Sequence, residues 1–435
     1  MIWADALWQT LFLICLASII SVLLGTVTAV SAWWSNKTWA YYTPLLILAV
    51  PPWLFSYQLS DQFGYINPWL GAGISLGVCC SVYPHSIISA SLANRAHKAW
   101  EMMTVVNGRN FSSLFTAVWP SLKLSLLPSI AIIAAECVAD FGVSNFYGLN
   151  TVTMLTYNIW TSTWNMSQIW WGVGLLAVLG IIVSQLASTT SISLQGDNVS
   201  KSSSVWAVLA VLPTLLLTGF GVYTSILWII TGAKFEADDF VKELINTLYL
   251  TGIVVAMCIS VSAIYFSNIG KLFLERSGLA FYTLPGTVIG ATLLYFFGPY
   301  ISLFVLLSIG ITIRYYGLMI NTVSVADKGN QKYFEVIDFY TPTRLKRIAD
   351  KARIVLPSVA LGVCLIVLDV IRELPISMIL QPMNFQTLAM RMNYIARAEA
   401  IPNLGPHSLV ILSLGVVLCS VIIKIIYDTN KKSKL

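Results

Sequence analysis

An all-α, polytopic transmembrane helical bundle of about eleven spans, arranged as two parallel pseudo-symmetric repeats, is the fold this sequence predicts. Three observations predict it. The first is composition: 57% of the 435 residues are hydrophobic and only 10% are charged, too few polar residues to cover a soluble chain of this length. The second is run length. The apolar stretches are about 20 residues long, the length a helix needs to cross a bilayer, and lack the ten-residue alternation of a membrane barrel. The third is an internal echo. Glu136-Cys-Val-Ala-Asp140-Phe-Gly142 and Asp369-Val-Ile-Arg-Glu373-Leu-Pro375 stand 233 residues apart, and the same offset relates Pro52 to Pro285 and Tyr83 to Tyr316.

Taken in order, the spans are expected near 6–33, 41–59, 69–92, 122–147 and 167–188, then near 205–231, 245–266, 278–297, 300–320, 354–379 and 406–427. A polar linker from Thr189 to Ser204 separates the groups, dividing the chain into a first repeat at 1–188, a linker at 189–204 and a second repeat at 205–435. Prolines at Pro51-Pro52, Pro84, Pro285 and Pro299 predict kinks or helix ends, because proline lacks the amide hydrogen that continues a helix.

Lys and Arg set the expected orientation. They crowd the loops 93–123 and 321–353, the segment with Lys271 and Arg276, and the C-terminal tail, whereas 60–68 and 148–166 contain none. The basic loops and the linker are therefore expected in the cytoplasm and the N-terminus outside; the segment 232–244, which carries Lys234 and Lys242, is the exception. Met1 to Asp5 carries no basic residue, so the first span is expected to be a retained helix, not a secretory signal. Five spans per repeat plus the helix 205–231 keep both repeats pointing the same way. The first repeat lacks a counterpart of that helix, so either it has been dispensed with or the chain begins late.

Acids four residues apart at the end of an apolar run are expected to share a helix face, and charge at that depth marks a pathway or a pairing site. Glu136, Asp140, Asp369 and Glu373 are thus candidates to line a translocation path, with Arg372, Gly142 and Pro375 as pairing or gate residues. A second reading stays open: the acids pair with Arg372 or cap neighbouring helix N-termini. The seven cysteines all fall in apolar spans and the three histidines, His85, His97 and His407, are scattered, which argues against a metal cluster, a disulfide framework or a nucleophile–base pair. No Gly-rich nucleotide-binding loop occurs, so the chain itself is expected to bind neither ATP nor another cofactor and to have no catalytic residues. A net charge of +6 is accounted for by cytoplasmic loops facing anionic lipid, without nucleic acid.

The loop at 93–121 contains Glu101-Met-Met-Thr-Val-Val-Asn107-Gly108 and reaches Trp119-Pro120, nineteen residues after Glu101. It resembles the Glu-Ala-Ala loop of ABC importer permeases, with Met102 and Met103 in place of the alanines. The loop 321–353 is a weaker copy, with Glu335 leading it and Thr341-Pro342 where glycine is expected. Ala139-Asp140-Phe141-Gly142, Glu373-Leu374-Pro375, Leu284-Pro285-Gly286-Thr287 and the stretch from Leu380 to Ala389 resemble ferric-iron ABC permeases, in which one polypeptide carries both halves. That resemblance implies a bacterial inner-membrane subunit working with two copies of an ABC ATPase, which would bind ATP, and a periplasmic ferric-iron-binding protein. It implies that Glu101, Asn107, Gly108, Pro120, Glu335, Thr341 and Pro342 mark the ATPase coupling loops. Fe(III) prefers oxygen ligands, so Asp140 and Glu373 are candidate transient metal contacts. Other cargoes of related permeases, namely thiamine, sulfate, polyamine or phosphonate, are the nearest alternative. A secondary transporter driven by an ion gradient is the alternative of another class, and a membrane-embedded enzyme a third.

Overall fold

A computed structural model describes residues 2–35, 37–108, 110–187, 204–232, 237–266, 270–341 and 343–432. The linker up to residue 203, Arg109 and Pro342 lie outside the described residues. Among those that are described, every regular element is helical and none is a strand. Seven helices are long and apolar enough to cross a membrane, and up to nine spans result if two bent pairs each count as one. The chain is thus an all-α, multi-pass membrane protein.

The two remaining expected spans have other forms. The stretch 41–59 is broken into a short helix, a 3-10 turn over Thr43–Ala49 and a helix over Pro52–Phe63; Pro51 and Pro52 remove the amides that would join the last two. The fifth is the helix Met166–Ala187. The other prolines also act as breaks. Pro84 follows a bend of 41° between Pro68–Cys79 and Val82–Ser91, and Pro285 stands at the break between Lys271–Thr283 and Gly286–Phe297. Pro299 lies in the turn before Leu303–Gly329.

By packing, the chain forms two compact units. One comprises Met1–Ala237 with Arg391–Cys419, the other Asp238–Met390 with Ser420–Leu435. In the first unit the helix Ile2–Ser35 packs against Pro68–Cys79, Val82–Ser91, Phe111–Ala139 and Ser204–Thr231. Small residues permit this. A Cβ on Gly73 would lie 2.4 Å from Leu16, and one on Gly77 2.7 Å from Ile20, so the glycines let the backbones approach, as in many membrane helix pairs. The helix Ser204–Thr231, at the head of the second repeat in sequence, is held in this unit by a buried polar contact: Gln58 Nε2 donates to the Gly221 carbonyl at 2.9 Å and to Ser225 Oγ at 3.2 Å.

In the second unit the helix Leu303–Gly329 packs against Lys271–Thr283, Gly286–Phe297 and Arg344–Ile371. Gly278 and Gly317 bring two backbones together, a Cβ on Gly278 falling 2.8 Å from the Gly317 Cα.

Both basic loops contain a short helix, His97–Asn107 and Gln331–Tyr340, and each is seated by one buried aromatic. Trp100 is 5% exposed and packs with Trp33, Ile88, Leu92 and Val118. Phe334, 234 positions later, is 7% exposed and lies under the Lys351 ammonium at 5.6 Å. The following helices begin earlier than expected, at Phe111 and Arg344. Pro120 therefore lies inside a helix instead of ending a loop.

Candidate functional site

The repeated acids do not share one helix face. The helices end at Ala139 and Ile371, so Glu136 and Asp369 occupy the last helical turn while Asp140 and Glu373 lie beyond it. The reason is local. Each outer acid accepts backbone amides of the next short helix, and those bonds stabilise a chain break where the unpaired N-terminal amides would otherwise be buried.

In the first unit, Asp140 Oδ1 accepts from Val143 N at 3.2 Å, and Oδ2 accepts from Ser144 N and Ser144 Oγ, both at 2.9 Å. The capped helix is Gly142–Phe146. Glu136 accepts from the Tyr83 hydroxyl at 2.8 Å. Both acids are partly buried. Gly142 is required by packing, since a Cβ there would lie 2.6 Å from Trp53 Cβ.

In the second unit, Glu373 Oε1 accepts from Ile376 N at 3.1 Å, capping Pro375–Ile379. Ile376 stands 233 residues after Val143, so the cap is the same cap. Its surroundings differ. Arg314 Nη1 lies 3.2 Å from Oε1 and 3.1 Å from Oε2, and the Tyr315 hydroxyl donates to Oε2. Asp369 pairs with Arg372 one turn away. Glu373 is 3% exposed, Asp369 6% and Arg314 8%. Tyr316, the counterpart of Tyr83, shares a 2.7 Å hydrogen bond with Ser277.

A second set of matched bonds surrounds each corner. Thr151 Oγ1 accepts from Met154 N at 3.3 Å, and Thr387 Oγ1 accepts from Met390 N at 3.3 Å, each capping the helix that follows. The first amide of each helix reaches a threonine on a long helix of the same repeat, Ile2–Ser35 or Ala237–Phe266: Val152 N to Thr10 Oγ1 and Leu388 N to Thr247 Oγ1, both at 2.9 Å. Thr10 and Thr247 each donate back to the carbonyl four residues earlier at 2.8 Å. Ile2–Ser35 thus corresponds to Ala237–Phe266, and Ser204–Thr231 precedes the matched helices of the second repeat.

Of the sequence candidates, Gly142 and Pro375 are buried beside the caps, and Arg372 pairs with Asp369. Glu101 is exposed midway along His97–Asn107, and Asn107 ends that helix with Gly108 as its exposed C-cap at φ +74. Glu335 is exposed on Gln331–Tyr340, which ends at Thr341 in an extended conformation with φ −100. The backbone turns differently there, which explains why the second loop manages without glycine. Among the described residues, no group of three or more His, Cys, Asp or Glu side chains comes together as a metal-binding cluster. Arg314 and Tyr315 were missed by the sequence reading. An arginine in the middle of the apolar run 300–320 was the available signal, since an intramembrane cation requires a partner.

No family model, no curated protein and no solved structure matches the chain.

Proposed function

We propose that this chain is the permease subunit of a bacterial ABC importer that carries ferric iron from a periplasmic binding protein, driven by two copies of a separate ATPase. The observation that carries the reading is the paired architecture. One chain holds two matched basic loops, each with a short helix that carries a Glu directly after the one buried aromatic that seats it, as two identical ATPase subunits would require. The outward sides of these helices bear Met102, Val105 and Val106 in one case and Val336, Phe339 and Tyr340 in the other, all exposed. ATPase closure would push on both helices and bias the membrane helices between inward- and outward-facing states.

The cargo follows from the carboxylates. A path for an anion favours basic groups, whereas an intramembrane acid held by neutral donors, as Asp140 is, favours a hard cation. Ferric iron is the cargo that the resemblance and the oxygen chemistry share.

The test is uptake of radiolabelled ferric iron by vesicles containing the permease, its ATPase and its binding protein. Uptake that requires ATP and all three components is expected. Uptake by the permease alone, driven by an ion gradient, would replace this reading with that of a secondary transporter. The buried Arg314–Glu373 pair is the feature that such a carrier would also use.

A further inference from the structure

The two acid corners share a backbone design and differ in charge. In the second repeat, Glu373 has both oxygens on the Arg314 guanidinium, one on Ile376 N and the other on Tyr315. In the first repeat, the positions 233 residues earlier than Arg314, Tyr315 and Arg372 are Ser81, Val82 and Ala139. The hydrogen bonds to Asp140 come from neutral donors, Val143 N, Ser144 N and Ser144 Oγ.

A further exchange accompanies the arginine. A Cβ on Gly286 would lie 2.6 Å from Arg314 Nη1, so glycine is what admits the guanidinium. The equivalent position in the first repeat is Trp53, which fills that place against Gly142. Large and small residues have therefore changed sides: Trp53 over Gly142 in one repeat, Gly286 beneath Pro375 and Arg314 in the other.

We propose that Arg314 is a built-in counter-cation that keeps the second repeat's acid corner from taking a cationic cargo, so that the two pseudo-symmetric halves are functionally unequal. Arginine is always protonated, and Arg314 Nη1 lies within 3.2 Å of both Glu373 oxygens. A cation arriving at Glu373 would have to displace it, and breaking a buried pair from one side leaves an uncompensated charge. The lone pairs of Glu373 are also occupied by Tyr315 and Ile376 N. Arg314 thus acts as a specificity-determining residue, and Gly286 positions it. This inference rests on the reading of the chain as a cation permease.

The test compares two exchanges in the reconstituted complex with radiolabelled ferric iron. The double variant Arg314→Gln, Glu373→Gln removes both charges and keeps hydrogen-bonding groups, and is expected to transport within twofold of the wild type. Building the lock into the first repeat, with Trp53→Gly and Ser81→Arg, is expected to lower transport at least tenfold while ATPase co-purification is unchanged. A tenfold loss in the folded double variant, or wild-type transport with the lock built in, would overturn the proposal. Should the wild-type complex carry no ferric iron, the permease reading fails on its own, and the lock is then read from thermal denaturation of the purified protein. Each single Gln variant should melt lower than the double variant. Midpoint losses that simply add would show that Arg314 is not the counter-ion of Glu373.

Discussion

The acid corner of the first repeat and that of the second hold their short helices in the same way and balance their charge differently. Asp140 and Glu373 each cap a helix through an amide three residues on, but Glu373 sits on a buried arginine and Asp140 on a serine and two amides. The comparison teaches that backbone geometry and electrostatics can vary separately between two matched corners. A cap needs only an acceptor at the right position. Charge compensation needs a partner and the space to admit it, and here that took coordinated change at two positions, 81/314 and 53/286.

The largest effect that separates the corners should come from Arg314. Replacing it with Leu leaves Glu373 buried without its cation, and removing one side of a buried pair costs about 3–5 kcal/mol. Ser81→Leu at the equivalent place should cost no more than about 1–3 kcal/mol, the range for overpacking. Unfolding in mixed detergent micelles measures both, and equal losses would break the comparison.

Next in size are the glycines. Gly142→Ala and Gly286→Ala should each cost about 1–3 kcal/mol by overpacking, because each new Cβ would approach within 2.6 Å of a neighbour. Their consequences should differ. Gly286→Ala displaces the guanidinium and also presses on Ile376 and Pro375, which a Cβ would meet at 2.8 and 2.9 Å, so combined with Arg314→Leu it should cost less than on the wild-type background, whereas Gly142→Ala should add in full.

The threonines test what the repeats have in common. Thr10→Val and Thr247→Val each remove one acceptor of a helix's first amide, and each should cost about 1 kcal/mol, the usual net value of such a bond. Hydrogen exchange at Val152 and Leu388 should rise together. The smallest effect belongs to a pair outside both corners: Lys328→Gln breaks a contact of 3.1 Å with Glu275, but Lys328 is 64% exposed, so a loss under about 1 kcal/mol that fades at high salt is expected.

The fold class and most breaks were legible in the sequence because both follow from composition and proline position. Apolar runs of bilayer length have few other solutions, and Pro52, Pro285 and Pro299 each mark where a helix begins or ends. The position of Asp140 was not legible. An apolar run followed by an acid looks the same whether the acid rides the last helical turn or caps the next helix, so the sequence left both readings open. The threonine contacts were hidden for a different reason. Thr10 and Val152 lie 142 residues apart, and nothing local in either segment names the other. The offset between Thr151 and Thr387 also differs by three residues from the one relating the acids, so a single-offset comparison passes over it. Arg314 could have been found, since one arginine inside an apolar run is a costly residue that needs an acid, and the nearest repeated acid was Glu373.

The most direct test of unequal charge compensation is a pair of double-mutant cycles, one on Arg314 and Glu373 and the other on Ser81 and Asp140, with unfolding free energy as the readout. Contacting charged groups couple by about 0.5–3 kcal/mol, whereas uncoupled positions add within about 0.5 kcal/mol. A coupling near the upper end of that range is expected for Arg314 with Glu373, and none beyond additivity for Ser81 with Asp140. Equal coupling in the two cycles, or none in the first, would contradict unequal charge compensation.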